Sequence, residues 1–123
     1  MQPLAIVVYQ RLLPGSQLVN KLQDLHYRVL ALSDPAELLD QALTAHPMLA
    51  LVDLGAGGTE CLSTIRQLRQ HADTQHLPII GFTADPDQQS REAAAESGLT
   101  ILLGDTAILQ HLPQCLQRAL EVE

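Results

Sequence analysis

Aromatic side chains are almost missing from this chain of 123 residues: two Tyr, one Phe and no Trp. A hydrophobic core must therefore come from Leu, Ala, Val and Ile. Cysteine is scarcer still, and Cys61 and Cys115 show neither CxxC nor Cys/His spacing. That pattern supports neither a disulfide framework nor a zinc site, and the two thiols read as small core residues in a reducing compartment. Basic charge is in deficit. A formal net charge of −7 opposes contact with nucleic acid or an anionic membrane, since both require a basic face. Apolar runs stop at about eight residues, far short of the ~20 that span a bilayer. The amino terminus lacks the charged start and cleavage site of a signal peptide, so a cytoplasmic location is expected.

What is present is a folded composition, with 46% apolar and 17% charged residues. The length suits a single domain spanning 1–123. Five short apolar runs recur: "LAIVVY" (4–9), "RVLAL" (28–32), "MLALVD" (48–53), "PIIGFT" (78–83) and "LTILL" (99–103). Each precedes a segment of helical periodicity. In the first, Leu18, Leu22 and Leu25 share a face, with Pro14 and Gly15 in the entering loop. The second opens on Asp34, Pro35 and Glu37, a capping box in sequence form. Leu62, Ile65 and Leu68 form the stripe of the third. The fourth repeats the start signal with Asp85, Pro86 and Gln88 and ends at Gly98. The fifth aligns Leu109, Leu112, Leu116 and Leu120, with Pro113 implying either a late start or a kink.

Strict β-α alternation with strands apolar on both faces predicts an α/β fold: a doubly wound, flavodoxin-like, five-stranded parallel sheet with five helices. Strand order 2-1-3-4-5 is the common solution at this length, and ligands then bind at the carboxyl ends of strands one and three. Asp53 in "LALVDLGAGG" ends strand three and falls in that crevice. The glycines behind it could cradle an anion on their amides, but they fit neither GxGxxG nor a Walker loop, and a flexible loop is the simpler reading. His71 and His76 are five apart, a spacing one helix face does not align, and read as solvated. His26, His46 and His111 lack a recognisable partner, and no nucleophile is paired with a base, so an enzyme is not expected.

Nearly the whole chain resembles the receiver domain of two-component response regulators. "HYRVLALSDPAELLDQA" resembles that family's second strand and helix, "HPMLALVDLGAGGTECL" its phosphoacceptor stretch, "LPIIGFTA" the end of its fourth strand, and "AAESGLTILLGD" the passage into its fifth. The resemblance implies a phosphoacceptor at Asp53 and a switch hydroxyl at Thr83. It also implies departures. The metal-binding acidic pair falls on Tyr9 and Gln10, the neutralising lysine on Asp105, the switching aromatic on Leu102, and the proline after the lysine on Thr106. Phosphoryl transfer depends on positioned charge, so these changes bear directly on the chemistry. Asp53 with the Gly55 carbonyl could hold Mg²⁺ only weakly, and a carboxylate of Asp105 turned inward would repel Asp53 by roughly 4 kcal/mol at ~4 Å and an effective dielectric of ~20.

The expectation is an atypical receiver, a pseudo-receiver that takes part in phosphorelay signalling through protein contacts without normal Mg²⁺-dependent phosphorylation. Asp53 is then a retained strand-end carboxylate, Thr83 satisfies a backbone group, and Tyr9 fills the vacated metal pocket. No cofactor is expected, with Mg²⁺ entering only if Asp53 is functional. The implied partner is a histidine kinase, a phosphotransfer protein or an effector. Contact is expected through helix 4, strand 5 and helix 5, with Leu or Ala of "EAAAESG" and "LPQCLQRAL" exposed and a homodimer through the same face. Two alternatives stay open. In one, Asp53 is an inefficient but genuine phosphoacceptor, helped by Asp105 or Glu60; in the other, the altered crevice senses an anion or small ligand. Whether the unit stands alone or belongs to a longer chain is left open.

Overall fold

A computed structural model describes residues 3–54, 58–84 and 86–121. Five parallel strands, β1 (Leu4–Val8), β2 (Arg28–Leu32), β3 (Leu49–Asp53), β4 (Ile79–Thr83) and β5 (Ile101–Gly104), pair in the order β2-β1-β3-β4-β5. The expected strand order is the one observed. Six α-helices among the described residues accompany them: α1 (Leu12–Asp24), α2 (Leu38–Ala45), α3 (Gly58–Gln70), α4 (Gln88–Ser97), α5 (Asp105–Gln110) and α6 (Leu112–Glu121).

Strands apolar at every position make sense once both faces of the sheet are covered, because successive side chains point to opposite sides. Ala5, Val7, Leu49, Leu51, Ile80 and Phe82 turn toward one face, where they meet Leu18 and Leu22 of α1, Ile108 of α5, and Leu112, Leu116 and Ala119 of α6. Ile6, Val8, Ala50, Val52 and Ile79 turn the other way, onto Leu38 and Ala42 of α2 and Cys61, Ile65 and Leu68 of α3. β3 is buried throughout and lies at the centre. Phe82 is the one ring fully inside, so aliphatic packing carries the core as the composition requires. Both cysteines are buried and free. Burial raises the Cys115 thiol above its ordinary pKa, against a smaller opposing pull from Arg118.

Helix starts and stops follow local chemistry. Leu13, held out of the α region before Pro14, has an extended backbone, so the regular part of α1 begins at the proline. Asp34 accepts from the Ala36 amide at 2.9 Å and Pro35 follows, but the turn they open is 3-10 (Pro35–Glu37) before α2 proper. At α4 the cap is Asp87, which accepts from the Ser90 amide at 2.7 Å, two residues later than the expected start. Asp85 lies outside the described residues. Gly98 ends α4 at φ 96°, as expected of a residue in the left-handed region. His26 (φ 70°) and His46 (φ 51°) take the same conformation just after α1 and α2, a backbone role for which histidine is enriched among non-glycine residues.

The single fifth helix expected from sequence is two helices. α5 ends at His111, and α6 then starts with Pro113 in its first turn, where a missing amide costs nothing. Leu112 and Leu116 both reach the core, while Leu109 and Leu120 are partly buried against it.

At the amino-terminal end of the sheet, Arg69 of α3 ties several segments together. Its guanidinium donates to the carbonyls of Gly98 (2.8 Å), Gln75 (3.0 Å) and Leu77 (2.6 Å) and to the Thr100 hydroxyl (3.1 Å). These are neutral acceptors, and burial lowers the Arg69 pKa from its usual value.

Candidate functional site

The carboxyl ends of β1, β3 and β5 bring three charged residues to one point. Asp53 is the last residue of β3 and its side chain is 1% exposed. Asp105 follows Gly104 directly and is the first residue of α5. Arg11 lies three residues past the end of β1, with an extended backbone at the N-cap of α1. Such a position turns the side chain back over the strand ends, and the guanidinium enters the space between the two carboxylates.

The contacts are those of a planar fork. Arg11 Nη2 donates to Asp53 Oδ1 at 2.7 Å, and Nε donates to Oδ1 and Oδ2 at 3.0 and 3.2 Å. The backbone amide of Arg11 adds a bond to Asp53 Oδ2 at 3.2 Å. On its other edge, Nη1 and Nη2 reach Asp105 Oδ2 and Oδ1 at 2.8 and 3.1 Å. Only a guanidinium presents enough coplanar donors to engage two carboxylates in this way. Hydrogen bonds to Asp53 and then Asp105 raise the Arg11 pKa above its usual value, so it is a fixed cation.

The other expected site residues stand around this triad. The Tyr9 ring packs against Gly15 and the core cluster beneath α1, and the guanidinium of Arg11, not that ring, is the group found between the acids. Gln10 is exposed and donates to the Ser33 carbonyl at 3.4 Å. Thr83 ends β4 beside Gly104, and its hydroxyl makes no hydrogen bond among the described residues. Leu102 is half-buried in β5 opposite Gly81. Thr106, the first residue after Asp105, lies in the opening turn of α5. Gly55 lies outside the described residues, as does the side chain of Glu60. Beneath the crevice, the buried Cys61 thiol donates to the Asp53 backbone carbonyl at 3.5 Å.

The inward turn of Asp105 does occur, but without the expected net repulsion, because a cation stands between the two acids. Sequence reasoning missed that cation. Positions 9 and 10 align with the acidic pair, but the group that fills the crevice comes from the next residue along. A usable signal was present: one arginine past the first strand, and an acid at the end of each of the third and fifth.

Among the described residues, the donor set does not fit Mg²⁺. That ion needs near-octahedral oxygen ligands, with one or two carboxylates supplied by the protein. Both carboxylates here are engaged by Arg11, through five hydrogen bonds from its guanidinium and one from its backbone amide. Tyr9 and Gln10 supply no further acid, and the described residues hold no group of three His, Cys, Asp or Glu side chains suited to a metal. Nor is any helix among them long and apolar enough to cross a membrane.

Comparison of the sequence with protein-family models and with curated proteins finds no match. Solved structures are similar over nearly the full length. A Chloroflexus aurantiacus protein assigned as a response regulator is 23% identical, with a TM-score of 0.88 and 98% of each chain covered. The chemotaxis protein CheY4 of Vibrio cholerae is 19% identical, with a TM-score of 0.86 over 97% of this chain and 99% of that one. The receiver domain of a modulated diguanylate cyclase from Desulfovibrio desulfuricans is 24% identical, with a TM-score of 0.80 over 98% and 94%. The fold is therefore the flavodoxin-like fold of response-regulator receiver domains.

Proposed function

We propose that this chain is a receiver-type signalling module that acts by protein contact, its phosphoacceptor crevice closed by a built-in cation. One observation carries the reading: Arg11 bonds Asp53 and Asp105 at once. The group that stands where a metal ion and a lysine would neutralise charge is thus part of the chain. The three side chains sum to one negative charge, and a phosphoryl group on Asp53 would add more. Both oxygens of Asp53 already accept hydrogen bonds, which ties up the lone pairs an attacking nucleophile needs.

The output surface in this reading is the face of α4, β5 and the last helical segment, α5 with α6, where it would meet a kinase, a phosphotransfer protein, an effector or a second copy. Arg91, Ala95 and Leu102 line a groove of about 210 Å³ there. Leu112 and Leu116 point into the core, so α6 offers Gln114, Gln117 and Arg118 to the outside instead of the expected leucines.

The test is incubation with a small phosphodonor and Mg²⁺, followed by intact mass measurement, with a parallel thermal melt in beryllofluoride. The expected result is an unmodified chain and an unshifted melt. A phosphoryl adduct on the wild-type chain that disappears in Asp53→Asn would overturn the proposal and establish Asp53 as a working phosphoacceptor.

A further inference from the structure

The same guanidinium that closes the crevice also anchors the start of α5, and we infer that Arg11 is a latch holding this helix against the strand ends. The inference rests on the reading of the crevice as internally neutralised and adds what that neutralisation controls. α5 has six residues, too few to persist by its own hydrogen bonds. Its N-cap, Gly104, provides no side-chain bond. What its first residue does have is a paired contact from Asp105 to Nη1 and Nη2 of Arg11. At its other end α5 stops at His111, so it is not continuous with the longer α6. Buried Ile108 fixes the middle of the helix to the core, and Asp105 fixes its start.

The geometry makes the latch two-sided. Arg11 is held to Asp53 by Nε, by Nη2 and by its own backbone amide, so the guanidinium keeps its place as long as Asp53 is charged. With the guanidinium in place, Asp105 is drawn in; without it, two like charges face each other and the more exposed one moves outward. Asp105 is that one, its side chain 20% exposed against 1% for Asp53. A change of charge in the crevice is thereby converted into a change in α5. The helix also forms one wall of a cleft of about 480 Å³ with Gln17, Asn20 and Lys21 of α1, so its position sets the width of that cleft.

Hydrogen exchange followed by mass spectrometry tests this on the full chain without phosphodonor, so that its outcome is independent of whether Asp53 accepts a phosphoryl group. Peptides covering 105–111 report α5, whose last turn includes the His111 amide bonded to the Ala107 carbonyl at 2.9 Å. In Asp105→Asn, which keeps the Arg11–Asp53 pair, these peptides are expected to exchange at least ~10-fold faster while β1 and β3 stay protected. Arg11→Ala/Asp53→Asn, which removes the cation without leaving a buried charge, is expected to do the same. Unchanged exchange at 105–111 in both variants, or acceleration spread evenly over every strand, would overturn the latch.

Discussion

Replacing Arg11 with alanine leaves a carboxylate that is 1% exposed facing a second one, with the guanidinium between them gone. Breaking a buried pair from one side costs about 3–5 kcal/mol, because the remaining charge has lost both its water and its partner. Here the arginine side chain is itself 27% exposed, so water can follow it into the crevice and the lower part of that range applies. A separate route gives a similar figure. The nearest oxygens of Asp53 and Asp105 meet the same nitrogen at 2.7 and 3.1 Å, which keeps them within about 6 Å of each other. At an effective dielectric of ~20 their repulsion is about 3 kcal/mol, and it belongs to the same penalty rather than adding to it. Urea denaturation of Arg11→Ala should therefore show a loss of about 3 kcal/mol, with an unchanged denaturant slope. Arg11→Lys keeps the charge but cannot fork to two carboxylates, and should lose about 1 kcal/mol. The decisive variant is Arg11→Ala/Asp53→Asn, which should recover about half of the loss, since an amide is cheaper to bury than an unpaired charge. A double variant no more stable than Arg11→Ala, or a single variant within about 0.5 kcal/mol of wild type, would refute the reasoning.

Two further outcomes concern other parts of the fold. The Asp87 cap holds its carboxyl below the usual range because the Ser90 amide donates to the ionised form. Its contribution is complete above the carboxyl's unfolded pKa and disappears as pH falls through the lower folded value, so urea midpoints of wild type and Asp87→Ala should converge in acid and separate toward neutrality. At Gly15 a Cβ would overlap the ring of Tyr9, so Gly15→Ala should cost about 1–3 kcal/mol in urea denaturation despite alanine's better helix propensity.

The architecture was legible because each strand announces itself as an apolar run, and the pattern needs only to repeat to define the sheet. Local boundaries were less so, for identifiable reasons. "DPD" at 85–87 offers two aspartates able to cap α4, and the choice of Asp87 depends on where the chain leaves β4. Pro113 allowed two descriptions of the last helix, and the break at His111 chooses the late start while adding a short helix before it. In the crevice, the position of Asp53 followed from the strand order, while Thr83 and Asp105 were singled out only by the family resemblance. The position of the Arg11 guanidinium followed from neither, because a long side chain can serve a point several ångströms from its own Cα, and spacing rules record only the Cα.

Arg69 has a consequence for how freely this sequence can drift. It satisfies four acceptors from the α3–β4 connection, from the end of α4 and from the approach to β5, none of them charged. None of these acceptors is an acid that could be lost alongside it, and a lysine could serve those widely spaced oxygens only in part. Among chains that keep this connection between α3 and β4, position 69 should therefore stay arginine even where the crevice at the other end of the sheet has been rebuilt.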